Sequence, residues 1–158
     1  EDDILAHATL AAPNFGVPDW RELAVTPDQK RFFDEGRDAA ACMLHPDGKP
    51  CLRQIVGLPD VVQSIMLSID NPGAVGEAFN VSGPSPFSYR VMADRIAAKT
   101  GLPVVDFVNP EFHDFSIDLA KSRAVLGYNP QYDIFRIVDE AVAFRQGGRT
   151  RTPTKYIG

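Results

Sequence analysis

Between residues 53 and 144 the chain alternates short apolar runs with helix-period segments, and glycine or proline marks most junctions. Arg53 to Val56 is a strand that runs into an amphipathic helix. Its residues Val61, Val62, Ile65, Met66 and Ile69 form one helical stripe, and Asp70-Asn71-Pro72-Gly73 stops it. Gly76-Glu77-Ala78-Phe79-Asn80-Val81-Ser82-Gly83 holds a brief strand over 78–82. Ser88 then caps a helix with Val91, Met92, Ile96 and Ala97 inward, and Gly101 is its left-handed terminator. Val104 to Val108 is the next strand. Asp118 caps a short helix ending at Gly127, and Asp133 caps the last, which buries Ile134, Ile137, Val138, Ala141 and Phe144. The chain thus reads as short strands interleaved with amphipathic helices.

The residues before position 53 carry the same punctuation. Residues 1–7 read as the end of a helix, and 8–12 as a short strand closed by Pro13 to Pro18. Thr26-Pro27-Asp28-Gln29 is a helix start: threonine caps, proline suits the first turn and glutamine completes a capping box. Phe32, Phe33, Gly36, Ala39 and Ala40 continue with a helical period. Cys42-Met43-Leu44 and Leu52 to Val56 form strands around the turn His45-Pro46-Asp47-Gly48.

With 158 residues and 44% hydrophobic content, the chain can bury one core, so a single domain is expected. A net charge of −5 argues against a nucleic-acid or anionic-membrane partner. No apolar run approaches the roughly 20 residues that span a bilayer. Two cysteines, Cys42 and Cys51, are too few for a disulfide framework and point to a reducing, cytoplasmic setting, where they serve as small buried thiols. His7, His45 and His113 show no metal-ligand spacing with one another or with the cysteines.

The run from Arg53-Gln54-Ile55-Val56-Gly57-Leu58-Pro59-Asp60-Val61-Val62, through residues 76–83 and Thr100-Gly101-Leu102-Pro103, continues to Asp118-Leu119-Ala120-Lys121-Ser122-Arg123 and Leu126-Gly127-Tyr128-Asn129-Pro130. That series resembles the C-terminal half of the extended short-chain dehydrogenase/reductases, the NAD-dependent epimerase/dehydratase family. The resemblance implies an α/β fold, the substrate-binding portion of a Rossmann-type enzyme, with short strands and about five helices. It covers residues 1–145, with 146–158 as a disordered tail. It implies that Arg53 clamps the diphosphate of a nucleotide-sugar, for which a guanidinium fork is well matched. The plain alternative for Arg53 is a strand arginine paired with Asp60. By the same resemblance Asn14 falls in a substrate loop. His113 is the one basic residue in the stretch Glu111 to Asp118, where the family often has a second arginine. The chain departs from the pattern at Gly57, where histidine is common, and at Ala11, where arginine is frequent.

The family's cofactor machinery is missing. Pyrophosphate binding needs a glycine-rich turn between a strand and a helix, whereas Gly73-Ala74-Val75-Gly76 lies between a helix and a strand. The general base is a tyrosine with lysine four residues on, but Tyr89, Tyr128 and Tyr132 are followed there by Ala93, Tyr132 and Arg136. Tyr156 is too near the end. NAD or NADP therefore belongs to the parent enzyme, none is expected on this chain alone, and the isolated chain is expected to be inactive.

Two functions follow. One is the substrate-binding part of an NAD(P)-dependent nucleotide-sugar epimerase/dehydratase or related carbonyl reductase, without its cofactor half. The other is a non-catalytic module that binds a nucleotide-sugar or a protein. In either case strands 8–12 and 78–82 are expected to belong to a sheet supplied by the missing N-terminal half or by a second copy, making a homo-oligomer. Titrating NADH against the chain and following its fluorescence should show no saturable enhancement; micromolar saturation would contradict the missing machinery.

Overall fold

The computed structural model describes residues 4–5, 8–10 and 20–147. Their elements are α1 (Trp20–Leu23), α2 (Pro27–Asp34), β1 (Ala40–Leu44), β2 (Leu52–Arg53), α3 (Leu58–Ser68), a 3₁₀ turn (Pro72–Ala74), β3 (Phe87–Ser88), α4 (Tyr89–Thr100), β4 (Val104–Val108), α5 (Ala120–Leu126) and α6 (Ile134–Gln146). The result is a mixed α/β fold of six helices and short strands.

The strands form two pairs. β1 and β4 run parallel, with Ala40 opposite Val104 and Leu44 opposite Val108. β2 and β3 run antiparallel, with Leu52 opposite Ser88 and Arg53 opposite Phe87. Ala40 to Met43 are all fully buried, as expected of a strand covered on both faces. α4 lies against β1 and presents Met92, Ala93 and Ile96, and α6 closes over α4 with Val138, Ala141 and Val142. Trp20 is buried from the other side, 5.2 Å from the Phe107 ring. A smaller core gathers Leu119, Leu126 and Tyr128, with Leu67, Phe79 and Val81 packed on it.

Capping chemistry sets the helix ends. Thr26 accepts from Gln29 N–H, while the Gln29 side chain accepts from Thr26 N–H, completing the capping box. Ser88 and Asp133 cap α4 and α6 by accepting from Val91 and Arg136 N–H. Gly101 and Gly127, at φ 75° and 71°, terminate α4 and α5 in the left-handed conformation that a side chain would oppose.

Several expectations change. α2 ends at Asp34, because Gly36 turns at φ 61°, so Ala40 belongs to β1 and not to a longer helix. The His45 turn does return the chain: His45 N–H donates to the Lys49 carbonyl and Cys51 N–H to that of Met43. The principal partner of β1 is nevertheless β4. Ala8 is helical and Thr9 makes one antiparallel bridge to Ala40, so the described part of segment 8–12 pairs within this chain. Residues 78–82 form no strand; Asn80 instead donates to the Asp118 carbonyl, and Ser122 Oγ donates to that of Asn80. Asp118 accepts from Ala120 N–H at the entrance to α5, although Leu119 holds the cap position. Val91 is exposed. Of the tail expected over 146–158, Gln146 is the last residue of α6, and 148–158 lie outside the described residues.

α3 turns its apolar stripe outward. Its buried residues are polar, Asp60 and Ser64, while Val62, Ile65, Met66 and Ile69 are each at least half exposed. Periodicity shows which face favours burial, but the rest of this chain grips the opposite face. Asp60, 2% exposed, accepts from the main-chain N–H groups of Gln131 and Tyr132, both at 2.9 Å. Gln63 exchanges two hydrogen bonds with Asn129, and Asn71 donates to the Val125 carbonyl.

Gly57 caps α3 where a Cβ would stand 2.6 Å from Tyr132 Cβ. The absence of a side chain at position 57 is what lets the Tyr132 segment approach Asp60. Gly57→Ala should therefore destabilise the fold by about 1–3 kcal/mol through overpacking, read as a lower midpoint of denaturant unfolding; an unchanged midpoint would contradict this contact.

Candidate functional site

Arg53 ends β2 opposite Phe87, half-buried, and its Nη1 donates to the Tyr89 hydroxyl at 3.1 Å. Tyr89 is the first residue of α4 and is 3% exposed. Its ring meets Phe112 edge-on at 5.8 Å and Trp20 at 6.5 Å. Such edge-to-face contacts fix the ring, so the hydroxyl and the guanidinium bound to it are held in place. Burial raises the Tyr89 pKa, opposed by the adjacent Arg53 charge, so the phenol stays neutral and accepts from the guanidinium at neutral pH.

Asp60 does not pair with Arg53, since both its oxygens are committed to the 131–132 main chain. Gln54 adds a second support beneath the arginine. Buried, it donates to the Gly83 carbonyl and accepts from Ile117 N–H, both at 2.8 Å. Gly83 N–H in turn donates to Ile55 O, and a Cβ at position 83 would lie 2.4 Å from that oxygen. The backbone after β2, the 77–83 segment and the loop before α5 are thus locked together around Arg53.

His113 is exposed, and its neighbour Asp114 binds the start of β2. Asp114 Oδ1 accepts from Leu52 N–H at 2.6 Å and pairs with His45 Nε2 at 2.8 Å. The structure therefore brings the His113 segment alongside the strand that carries Arg53. Asn14 lies outside the described residues.

Nothing in the spacing of residues revealed the Tyr89 contact or the His45–Asp114 pair, whose partners lie 69 positions apart. A tyrosine directly after a capping serine was the one available signal for the former. Cys42 and Cys51 are free and buried, and burial pushes their thiols up to about 12 and about 11.

Among the described residues, no glycine-rich turn joins a strand to a helix as a pyrophosphate cradle requires. β2 and β3 are the described strands that lead directly into helices. Between β2 and α3 there is one glycine, Gly57, pressed against Tyr132, and between β3 and α4 there is none. No described tyrosine has a lysine four positions on.

A second feature is an apolar surface. Ile65, Ile69, Phe79, Val81 and Leu126 line an open hollow of about 400 Å³, together with Ser64 and Ser68. Arg53 is not among its lining residues. No described helix is long and apolar enough to cross a membrane.

No family model and no curated protein matches the sequence. Solved structures do match the fold. A short-chain dehydrogenase/reductase superfamily protein from Agrobacterium tumefaciens with bound NAD superimposes with a TM-score of 0.65 at 23% identity, over 90% of this chain and 44% of that one. RMD from Pseudomonas aeruginosa, complexed with NADPH, gives 0.60 at 15% identity over 94% of this chain and 44% of that one. dTDP-glucose 4,6-dehydratase from Bacillus anthracis, in complex with NAD, gives 0.57 at 18% identity over 84% and 42%. This chain therefore has the fold of part of a short-chain dehydrogenase/reductase, and it spans less than half the length of each of these structures.

The burial of both thiols gives a direct check. Neither cysteine should react with a thiol-specific disulfide reagent in the native chain, and two equivalents should appear in denaturant; rapid native labelling would contradict their burial.

Proposed function

We propose that this chain is the substrate-binding part of an NAD(P)-dependent nucleotide-sugar epimerase/dehydratase or related carbonyl reductase, completed by a cofactor-binding half supplied elsewhere. The observation that carries this is the half-buried Arg53 guanidinium, held by the hydroxyl of a buried tyrosine whose ring is fixed by edge-to-face aromatic contacts. A solvated strand arginine needs no such support. A guanidinium fixed on one side by Tyr89 can present its remaining N–H donors to diphosphate oxygens, forming bidentate, charge-assisted bonds. The fold neighbours, among them a dTDP-glucose dehydratase, support the same assignment.

In this reading the chain binds and orients substrate. It contributes Arg53 as the anion clamp, the Asp114 segment with His113 as the adjacent wall, and Asn14 as a candidate loop contact. The cofactor, NAD or NADP, would belong to the other half and supply hydride chemistry there. No proton-transfer residue is assigned to this chain.

The outward stripe of α3 supports the second element of the proposal. Leu58, Val62, Ile65, Met66 and Ile69 are exposed on one helix, continuous with the hollow at Phe79 and Val81. A patch of this kind marks a covered surface in the working molecule. Its cover here is the cofactor-binding half or, without it, a second copy of the chain. The same stripe also suits the rival function, a non-catalytic protein-interaction module, and nucleotide binding through Arg53 separates the two.

Calorimetry with UDP or dTDP should detect weak binding that Arg53→Lys reduces by about 1.5–3 kcal/mol, because a point charge loses the fork geometry. Equal affinity in the two proteins, or no binding by either, would contradict the clamp. Light scattering across a concentration series should show self-association of the wild type. Ile65→Glu with Met66→Lys should return it to monomer while shifting stability by no more than about 0.5 kcal/mol, as expected at exposed positions. A wild type that stays monomeric at high concentration would contradict the need for cover.

A further inference from the structure

The turn between β1 and β2 and the loop after β4 bring three different donor groups together. His45 opens the turn, Cys51 stands immediately before β2, and Asp114 arrives from the loop. One ligand atom from each lies within 4.8 Å of the other two. We propose that His45, Cys51 and Asp114 form a site for a zinc-class divalent cation, with solvent completing the coordination. The proposal is independent of the nucleotide-sugar function above.

The donor set selects the metal. An imidazole, a thiolate and a carboxylate together suit zinc or cobalt, whereas magnesium and calcium favour all-oxygen shells and copper(I) favours sulfur-rich ones. Zinc bonds of about 2.0 Å to nitrogen and oxygen and about 2.3 Å to sulfur place tetrahedral donors roughly 3–4 Å apart. The His45–Asp114 contact of 2.8 Å must open slightly, and any separation near the 4.8 Å limit must close by about 1 Å. Side-chain rotation accomplishes both.

The backbone of the site is already fixed. Cys51 donates its N–H to Met43 and accepts from Tyr89 N–H, both at 3.0 Å, and His45 N–H donates to Lys49 at 2.8 Å. Leu52 N–H orients the Asp114 carboxylate, and the Phe112 ring lies 6.4 Å from the His45 ring. Supports of this type position metal ligands. Cys51 is fully buried, while the side chains of His45 and Asp114 are 23% and 41% exposed, so a cation enters from their side. Loading exchanges the His45–Asp114 hydrogen bond and the thiol proton for three metal–ligand bonds, and the proton passes to solvent.

The bland account of the same residues is an ion pair clipping a loop to a turn beside a buried thiol. Cobalt titration of the tag-free, chelator-treated chain distinguishes them. The expected result is one equivalent per chain, with near-ultraviolet sulfur-to-cobalt charge-transfer absorption that zinc displaces. Cys51→Ser should abolish that absorption, and His45→Gln and Asp114→Asn should each weaken zinc binding by about 10-fold or more in competition with a chromogenic chelator. Should Cys51→Ser fail to fold by circular dichroism, the wild-type cobalt spectrum with His45→Gln decides, since His45 is partly exposed. The proposal is overturned by the absence of stoichiometric binding, by a cobalt spectrum without a sulfur ligand, or by unchanged affinity in His45→Gln.

Discussion

The carboxylate of Asp60 is the fastening on which the second half of the fold depends. A buried carboxylate must be fully hydrogen-bonded to be tolerated, and here two consecutive main-chain N–H groups, those of Gln131 and Tyr132, provide the bonds. The next residue, Asp133, caps α6. One side chain in the first turn of α3 thus fixes the entry of the last helix, and Gln63 and Asn71 extend the same seam toward Asn129 and Val125. Removing Asp60 would orphan two donors at once, which is why the seam acts as a unit.

The seam also explains why α3 faces outward. Its inner face is occupied by Asp60, Gln63 and Ser64, so the valine, isoleucine and methionine stripe is left exposed among the described residues. At the other end, the connection from β2 into α3 carries Gln54, which joins Gly83 to Ile117 and steadies the strand bearing Arg53. Polar ties thus hold the Arg53 side together, while the α3 stripe stays exposed among the described residues.

Local chemistry was legible in the sequence. The capping box at Thr26, the caps at Ser88 and Asp133, the terminators Gly101 and Gly127 and the strand Val104–Val108 all follow from short-range rules and stand in the structure. The family resemblance gave the fold and directed attention to Arg53. What failed were statements that needed a partner's identity. The α3 stripe is legible as apolar, but a period carries no information about which neighbour covers it. Segment 78–82 has strand-like residues, but no described strand stands beside it, and Asn80 turns to Asp118 and Ser122 instead. Tyr89 and Asp114 escaped notice because contacts across 36 and 62–69 positions leave no spacing signature. Gly57, which departs from the family pattern, gains a physical reason only when Tyr132 is seen against it.

Hydrogen exchange at single-residue resolution tests the fastening most directly. Gln131 lies exposed in a loop with no helix or strand hydrogen bond to protect its amide, so its protection must come from Asp60. The account predicts that the Gln131 and Tyr132 amides exchange slowly in the native chain, together with those of α4, and become fast in Asp60→Ala while α4 stays protected. Rapid exchange of both amides in the wild type would contradict it.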